Sequence, residues 1–369
     1  MKADPEQVIR EDIRAMAAYP VASAKGLIKL DAMENPYRLP EVLRREIGEA
    51  VANAEINRYP DPEAPALMER LRRVMGIGDE FGVLLGNGSD EIIHIIVQCL
   101  ARPGAVVLAP RPSFVMFSLC AQFAGLRYVG VPLQADFALD TAAMLRALEE
   151  HRPAVVFIAY PNNPTGNLFS EEAISRIVAQ APGLVVIDEA YHPFARRSFM
   201  PRLAQFPNLV VMRTLSKLGL AGIRLGYAVA RPQWIREFDK VRAPYNVNVL
   251  SQVVAERVLA HYEVLDAQAR EINSARERLA AELRGLSGVT VFPSDANFIL
   301  IRVPDAPRVF EAMRRRGVLV KNLHGGVASL EHCLRLTIGT PESKSGRIRC
   351  ETFTPLGIPF PSPRNGANG

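Results

Sequence analysis

The sequence predicts an α/β fold: a large domain on a doubly wound, mostly parallel sheet, joined to a smaller α+β domain. Three observations predict it. Short Val- and Ile-rich runs alternate with helical patterns through much of the chain, which is the spacing of βαβ units. The pattern then changes to one long helical stretch followed by isolated strand-like segments. Finally, 369 residues, at roughly 150 residues per domain, suffice for two to three units with large cores.

In chain order, residues 1–40 are read as an N-terminal arm that completes part of the small domain. The opening stretch mixes acids and bases with no apolar run, so no leader is expected and a cytoplasmic location is. Residues 41–248 form the large domain, with buried strands at 106–109, 154–160, 184–188, 209–213 and 226–230. Between two of these, 170–180 is a helix opening with Ser170, Glu171 and Glu172 in N-cap order. A long helical pattern at about 249–283 links to the small domain, 249–342. Strands are expected there at 289–292 and 297–303, with a helix at 306–316. Residues 341–369 hold five of the chain's 28 prolines, four glycines and no apolar periodicity, so 343–369 is read as an irregular or disordered tail.

Composition narrows the function classes. The chain is 49% hydrophobic and 22% charged, ordinary for a globular protein. Its net charge of +5, from 44 basic and 39 acidic residues, is spread along the sequence. No basic run is interleaved with aromatics, so no nucleic-acid partner is expected. The longest apolar runs are strand-length, so no membrane span is expected either. Cys99, Cys120, Cys333 and Cys350 lie far apart with no CxxC pair, against both a metal site and a disulfide framework.

In an open α/β sheet, ligands bind beyond the carboxyl ends of the strands. After 154–160 comes Pro161-Asn162-Asn163-Pro164-Thr165-Gly166. After 184–187 come Asp188, Glu189, Ala190 and Tyr191. After 209–213 come Thr214, Leu215, Ser216 and Lys217, then Gly219, Gly222 and Arg224. Upstream, Gly86-Asn87-Gly88-Ser89-Asp90-Glu91 leads into a helical run. Taken singly, each has a plain reading: a turn, a helix cap at Asp188, a solvated Lys217. The glycine segment lacks the third glycine of a dinucleotide fingerprint, yet offers free N–H groups at a helix start, an anion site. Together they suit pyridoxal phosphate: an acid for a ring nitrogen, an amide and a phenol for a ring oxygen, a lysine for a carbonyl, and phosphate donors. A cationic, desolvated site lowers a lysine's pKa toward the neutral, nucleophilic form. Ser216 and Arg224 add hydroxyl and cationic phosphate contacts.

These segments, with Arg224-Leu225-Gly226-Tyr227, resemble the fold-type-I, class II aminotransferases. More narrowly, four segments are similar to the histidinol-phosphate aminotransferases: 29–37 (KLDAMENPY), 58–61 (RYPD), 86–91 (GNGSDE) and 334–340 (LRLTIGT). The resemblance runs in order over roughly residues 10 to 342. It implies that Lys217 carries the cofactor and moves a proton, that Asp188 pairs with the pyridine nitrogen, and that Asn163 and Tyr191 bind the ring hydroxyl. It places Gly88, Ser89, Asp90, Ser216 and Arg224 around the phosphate and stacks Phe114 on the ring. It sends Tyr59 to the phosphate site of a neighbouring subunit, hence a homodimer with shared sites. It gives the substrate to Tyr19, Asn35, Lys321 and Arg335, the arginine holding an anionic end. The implied reaction is amino transfer between histidinol phosphate and 2-oxoglutarate, in histidine biosynthesis.

Four positions depart from that pattern. Met33 opens the Met-Glu-Asn-Pro segment where relatives have Asn, Arg38 replaces a glycine, and the interval from Lys217 to Arg224 is one residue shorter. Lys321 stands where a second substrate-binding arginine is expected, which keeps the charge but loses the bidentate fork. Competing readings are an aromatic aminotransferase or a phospho-amino-acid decarboxylase on the same fold, a cofactor-binding regulator, and a nicotinamide oxidoreductase. The regulator lacks a helix-turn-helix ahead of residue 40, and the oxidoreductase lacks a complete glycine fingerprint.

Overall fold

A computed structural model describes residues 4–340; the stretch read as a tail lies outside them. Two sheets organise the described chain. The strands of the large one are β2 (Gly82–Gly86), β3 (Val106–Arg111), β4 (Arg127–Pro132), β5 (Val155–Ala159), β6 (Leu184–Asp188), β7 (Leu209–Thr214) and β8 (Gly226–Ala230). Counting β1 (Ile28–Leu30) first, the small sheet adds β9 (Thr290–Val291), β10 (Phe298–Arg302), β11 (Val318–Asn322) and β12 (Cys333–Thr337). The large sheet has the order β2-β8-β7-β6-β5-β3-β4. Neighbours from β7 to β4 are parallel, whereas β8 runs antiparallel to both β7 and β2. The expected sheet is therefore present with one reversed strand, and β2 and β4 join the strands read from the sequence.

The central strands are buried on both faces, as parallel strands covered by helices must be. Alternate residues of β5 serve opposite cores: Val156 and Ile158 pack on one side, Val155, Phe157 and Ala159 on the other. The helix Glu171–Gln180 starts as its sequence dictates, with Ser170 accepting the Ala173 N–H at 3.2 Å. Such a cap contributes about 1 kcal/mol.

The small sheet has the order β1-β11-β12-β10-β9. β1 pairs parallel with β11, so a segment near the start of the chain enters a sheet otherwise made near its end. The expected long helix is two, Val249–Leu259 and Tyr262–Arg284, parted at Ala260 and His261. The second buries Leu265, Ile272, Leu279 and Leu283; from Ile272 onward that face packs on the small sheet. Among the described residues no helix is long and apolar enough to cross a membrane.

Candidate active site

The chain ends its parallel strands at one edge of the large sheet, and the predicted side chains are delivered there. Asp188 is the last residue of β6. Asn163 follows β5, Phe114 follows β3, and Ser216 and Lys217 follow β7. Because β8 runs the other way, its approach brings Arg224 to that same edge. β2 leads into the helix Gly88–Cys99, whose first turn holds Gly88, Ser89 and Asp90. A cleft opens here, lined by Ser89, Asp90, Phe114, Asn163, Asp188, Tyr191, Ser216, Lys217 and Arg224. Met33, Ala159, Ala190 and Thr214 complete its wall.

One end of the cleft is an anion cradle. Arg224 Nη1 donates to Ser216 Oγ at 3.3 Å, and its Nη2 pairs with Asp90 at 3.1 Å. Gly88 has φ +76°, and a Cβ there would lie 2.8 Å from Arg224 Nη2. A Cβ on Gly226 would come within 2.7 Å of the Ser89 amide nitrogen. Only hydrogen at both positions lets the helix start, β8 and Arg224 meet closely. Unpaired N–H groups at a helix start beside a guanidinium and two hydroxyls are the donor set of a phosphate.

The other end holds the titratable groups. Lys217 Nζ donates to the Ala32 carbonyl at 3.0 Å. Burial, then Arg335, pushes its pKa down to about 8. Asp188 is also buried; Oδ1 accepts the Ala190 N–H at 3.1 Å, and burial raises its carboxyl to about 7. A cation opposite that carboxylate offsets the burial and restores the charged form. Burial likewise pushes the Tyr191 phenol up, so its proton stays on and can donate. An acid, a phenol, an amide and a low-pKa lysine beside a phosphate cradle fit pyridoxal phosphate in charge and in donor set.

The remaining predicted residues are placed less uniformly. Arg335 is only 7% exposed; Nη1 donates to Asn163 Oδ1 and Nη2 to the Asp31 carbonyl at 2.7 Å. Its guanidinium lies over the Phe298 ring. Lys321 is directly opposite Arg335 in the β11–β12 register. Tyr19 is 57% exposed, close enough to Arg335 to act on its charge. Asn35 is engaged by its own loops: Nδ2 donates to Leu218 O and Gln268 Oε1, and Oδ1 accepts the Tyr37 N–H. Tyr59 stands outside the cleft of its own chain, 81% exposed and stacked on Tyr245 at 4.5 Å.

Sequence reasoning placed Thr214 at a strand end without giving it a role, and missed Met33 as a wall residue and the buried Glu189–Arg213 pair. Thr214 Oγ1 bonds Ser216 Oγ at 2.9 Å and accepts the Ser216 N–H. Glu189 and Arg213 pair at 2.8 Å, almost wholly buried, and Glu189 also accepts from Ser198 and the Phe199 N–H.

Known proteins give the same picture. The family described as Aminotransferase class I and II matches residues 25–348. Histidinol-phosphate aminotransferase 1 of Burkholderia mallei is 57% identical over 342 residues, covering 92% of this chain and 96% of its own. The histidinol-phosphate aminotransferase of Chromobacterium violaceum is 52% identical over 348 residues, covering 94% and 98%. In structure, the fold matches histidinol-phosphate aminotransferase of Sinorhizobium meliloti, solved in complex with pyridoxal-5'-phosphate. The TM-score is 0.83 at 24% identity, over 95% of this chain and 98% of that one.

Proposed function

The chain belongs to the histidinol-phosphate aminotransferases of aminotransferase class I and II, and from that premise we propose that it transfers an amino group between L-histidinol phosphate and 2-oxoglutarate. The products are imidazole acetol phosphate and L-glutamate, a cytoplasmic step of histidine biosynthesis. The observation that carries this reading is the meeting of Lys217, Asp188, Asn163 and Tyr191 in one cleft beside the Gly88–Arg224 anion cradle. We assign the cofactor to residues 41–248, with 249–342 and the arm 1–40 forming the smaller domain that covers the substrate.

When bound, pyridoxal phosphate supplies an electron-withdrawing ring that takes the electron pair released at the substrate Cα. The chain's own residues do the rest. Gly88, Ser89, Ser216 and Arg224 hold the phosphate and fix the ring's position. Asp188 holds a proton on the ring nitrogen by standing opposite it as a buried carboxylate. Asn163 and Tyr191 orient the ring hydroxyl, and Phe114 limits the ring on one face. Lys217, as a neutral amine, would take the proton from the substrate Cα and deliver it to the cofactor carbon C4′, general acid–base work matched to its lowered pKa.

Lys321 and Arg335 hold the anionic end of each substrate. Side chains directly opposite in an antiparallel pair lie on one face, and like charges there destabilise each other. A phosphate or carboxylate between them converts that repulsion into charge-assisted bonding. We also propose that Tyr59 reaches the phosphate of a partner's site in a homodimer, which its exposure on its own chain supports.

The test is direct. Protein loaded with pyridoxal phosphate is reduced with borohydride and digested. The cofactor label is expected on Lys217, and the visible absorbance of the loaded protein is expected to bleach. An amino-donor scan then ranks substrates, histidinol phosphate first. Labelling elsewhere, or a preference for unphosphorylated aromatic donors, overturns the assignment.

A further inference from the structure

The hairpin joining β11 to β12 carries a cluster of metal-ligating side chains outside the cleft. His324, Glu331 and His332 each place one ligand atom within 4.8 Å of the others, all partly buried. His324 Nδ1 lies 2.8 Å from a Glu331 carboxylate oxygen and also faces the backbone N–H of His332 at 3.2 Å. These demands conflict, because one imidazole nitrogen is a donor or an acceptor and not both. When its lone pair takes the amide proton, two acceptors are left facing each other at 2.8 Å. The two rings lie 4.7 Å apart, tilted by 37°. His332 Nδ1 is buried with no hydrogen-bond partner, a costly state unless something outside the chain satisfies it.

The hairpin is fixed rather than loose. His332 sits at φ +60°, a strained setting for a non-glycine residue that surrounding contacts must hold. Its carbonyl accepts the Val303 N–H at 3.0 Å, and the Leu323 N–H bonds the Cys333 carbonyl at 3.1 Å. Arg302 grips the Ser329 and Glu331 carbonyls at 2.8 and 3.2 Å. Asn322 Oδ1 accepts the His324 N–H at 3.1 Å. The three side chains are thus presented from a pinned turn, which lowers the ordering cost of a ligand.

We propose that His324, Glu331 and His332 bind one divalent transition-metal ion, of which zinc is the type. Two imidazoles and one carboxylate suit such borderline cations better than calcium or magnesium, which favour all-oxygen shells. Three protein ligands leave a fourth position for water. Bonds of roughly 2.0–2.2 Å require ligand atoms a little over 3 Å apart, within reach of small side-chain rotations from the arrangement described. Neutral imidazoles and one carboxylate give the site a charge opposite to the ion's. Histidine and glutamate spaced this way escape a sequence search that looks for cysteine pairs. The ion closes the end of the hairpin whose strands carry Lys321 and Arg335, so it stiffens the substrate side without touching it.

The experiment uses the full chain loaded with pyridoxal phosphate. Zinc chloride is titrated by calorimetry, and cobalt(II) serves as a spectroscopic probe. One site per chain is expected, with the visible band of a low-coordinate cobalt–imidazole centre. His324→Gln and Glu331→Gln are each expected to weaken binding by about tenfold or more. Both variants keep the metal-free amino-transfer rate, and zinc raises the thermal midpoint of the parent but not of either variant. Glu331 is half-exposed, so Glu331→Gln decides the question if His324→Gln does not fold. Absence of saturable binding, or equal affinity in parent and Glu331→Gln, overturns the site.

Discussion

Lys217 is buried where it needs to be neutral. Its pKa near 8 means that the protonated fraction falls as pH rises through that value, so the nucleophilic form grows over the same window. Capture of pyridoxal phosphate by cofactor-free protein is therefore expected to quicken with pH and level off above about 8, followed by stopped-flow absorbance. An exposed lysine would keep gaining up to about 10.4, and that outcome would mean burial does not control the amine. Lys321 gives a second expectation. Lys321→Ala removes one charge-assisted contact to phosphate, about 1.5–3 kcal/mol, so KM for histidinol phosphate should rise roughly tenfold or more. Equal losses for glutamate would remove Lys321 from phosphate recognition. Lys217, Asp188 and Asn163 were legible in the sequence as a set, because each comes at or just after a Val- and Ile-rich run of strand length and together they match the family's motifs. The bond from Arg335 to Asn163 crosses 172 residues, and no local pattern encodes it. Met33 is in the same position, brought to the cleft by the pairing of β1 with β11.

Elements show the same division. β6 and β8 keep their read bounds because they are continuous apolar runs, but the direction of β8 is a property of its neighbours and not of its composition. The long helical pattern breaks at Ala260 and His261 with no glycine or proline to mark it, so the sequence presents one helix where packing makes two. The start of the helix Gly88–Cys99 carries the sharpest element-scale expectation. Gly88→Ala adds a Cβ at φ +76° that meets Arg224. The backbone strain alone costs on the order of 1 kcal/mol, and displacement of the guanidinium loosens the cradle. Affinity for pyridoxal phosphate should fall about tenfold or more, with a small loss in thermal midpoint. A variant that loads cofactor as tightly as the parent would show that Arg224 and the helix start do not act together.

At the scale of the molecule, some exposed apolar residues lie on neighbouring elements, with Tyr59 stacked on Tyr245 and Val42 and Leu250 on helices that pack together. Val42, Ile56, Tyr59, Val241, Tyr245 and Leu250 are all exposed, and the helices Glu41–Ala52 and Val249–Leu259 pack against each other. Exposed apolar residues on neighbouring elements are what a protein interface draws on. In the homodimer proposed above, a twofold pairing there would present Tyr59 of each chain to the other chain's phosphate cradle, and each site would draw residues from both subunits. This can be tested without solving the dimer. Lys217→Ala subunits lack the essential amine, and Tyr59→Ala subunits lack the donated phenol. Refolding or exchanging them in equal amounts makes half of the dimers hybrid, and each hybrid has one site with both defects and one site with neither. About a quarter of the parental site number should then be restored, read as amino-transfer rate against each variant alone. Restoration is expected only if Tyr59 acts across the interface. If Tyr59 served its own chain, every hybrid site would carry one defect, and the mixture would show no more activity than the average of its components.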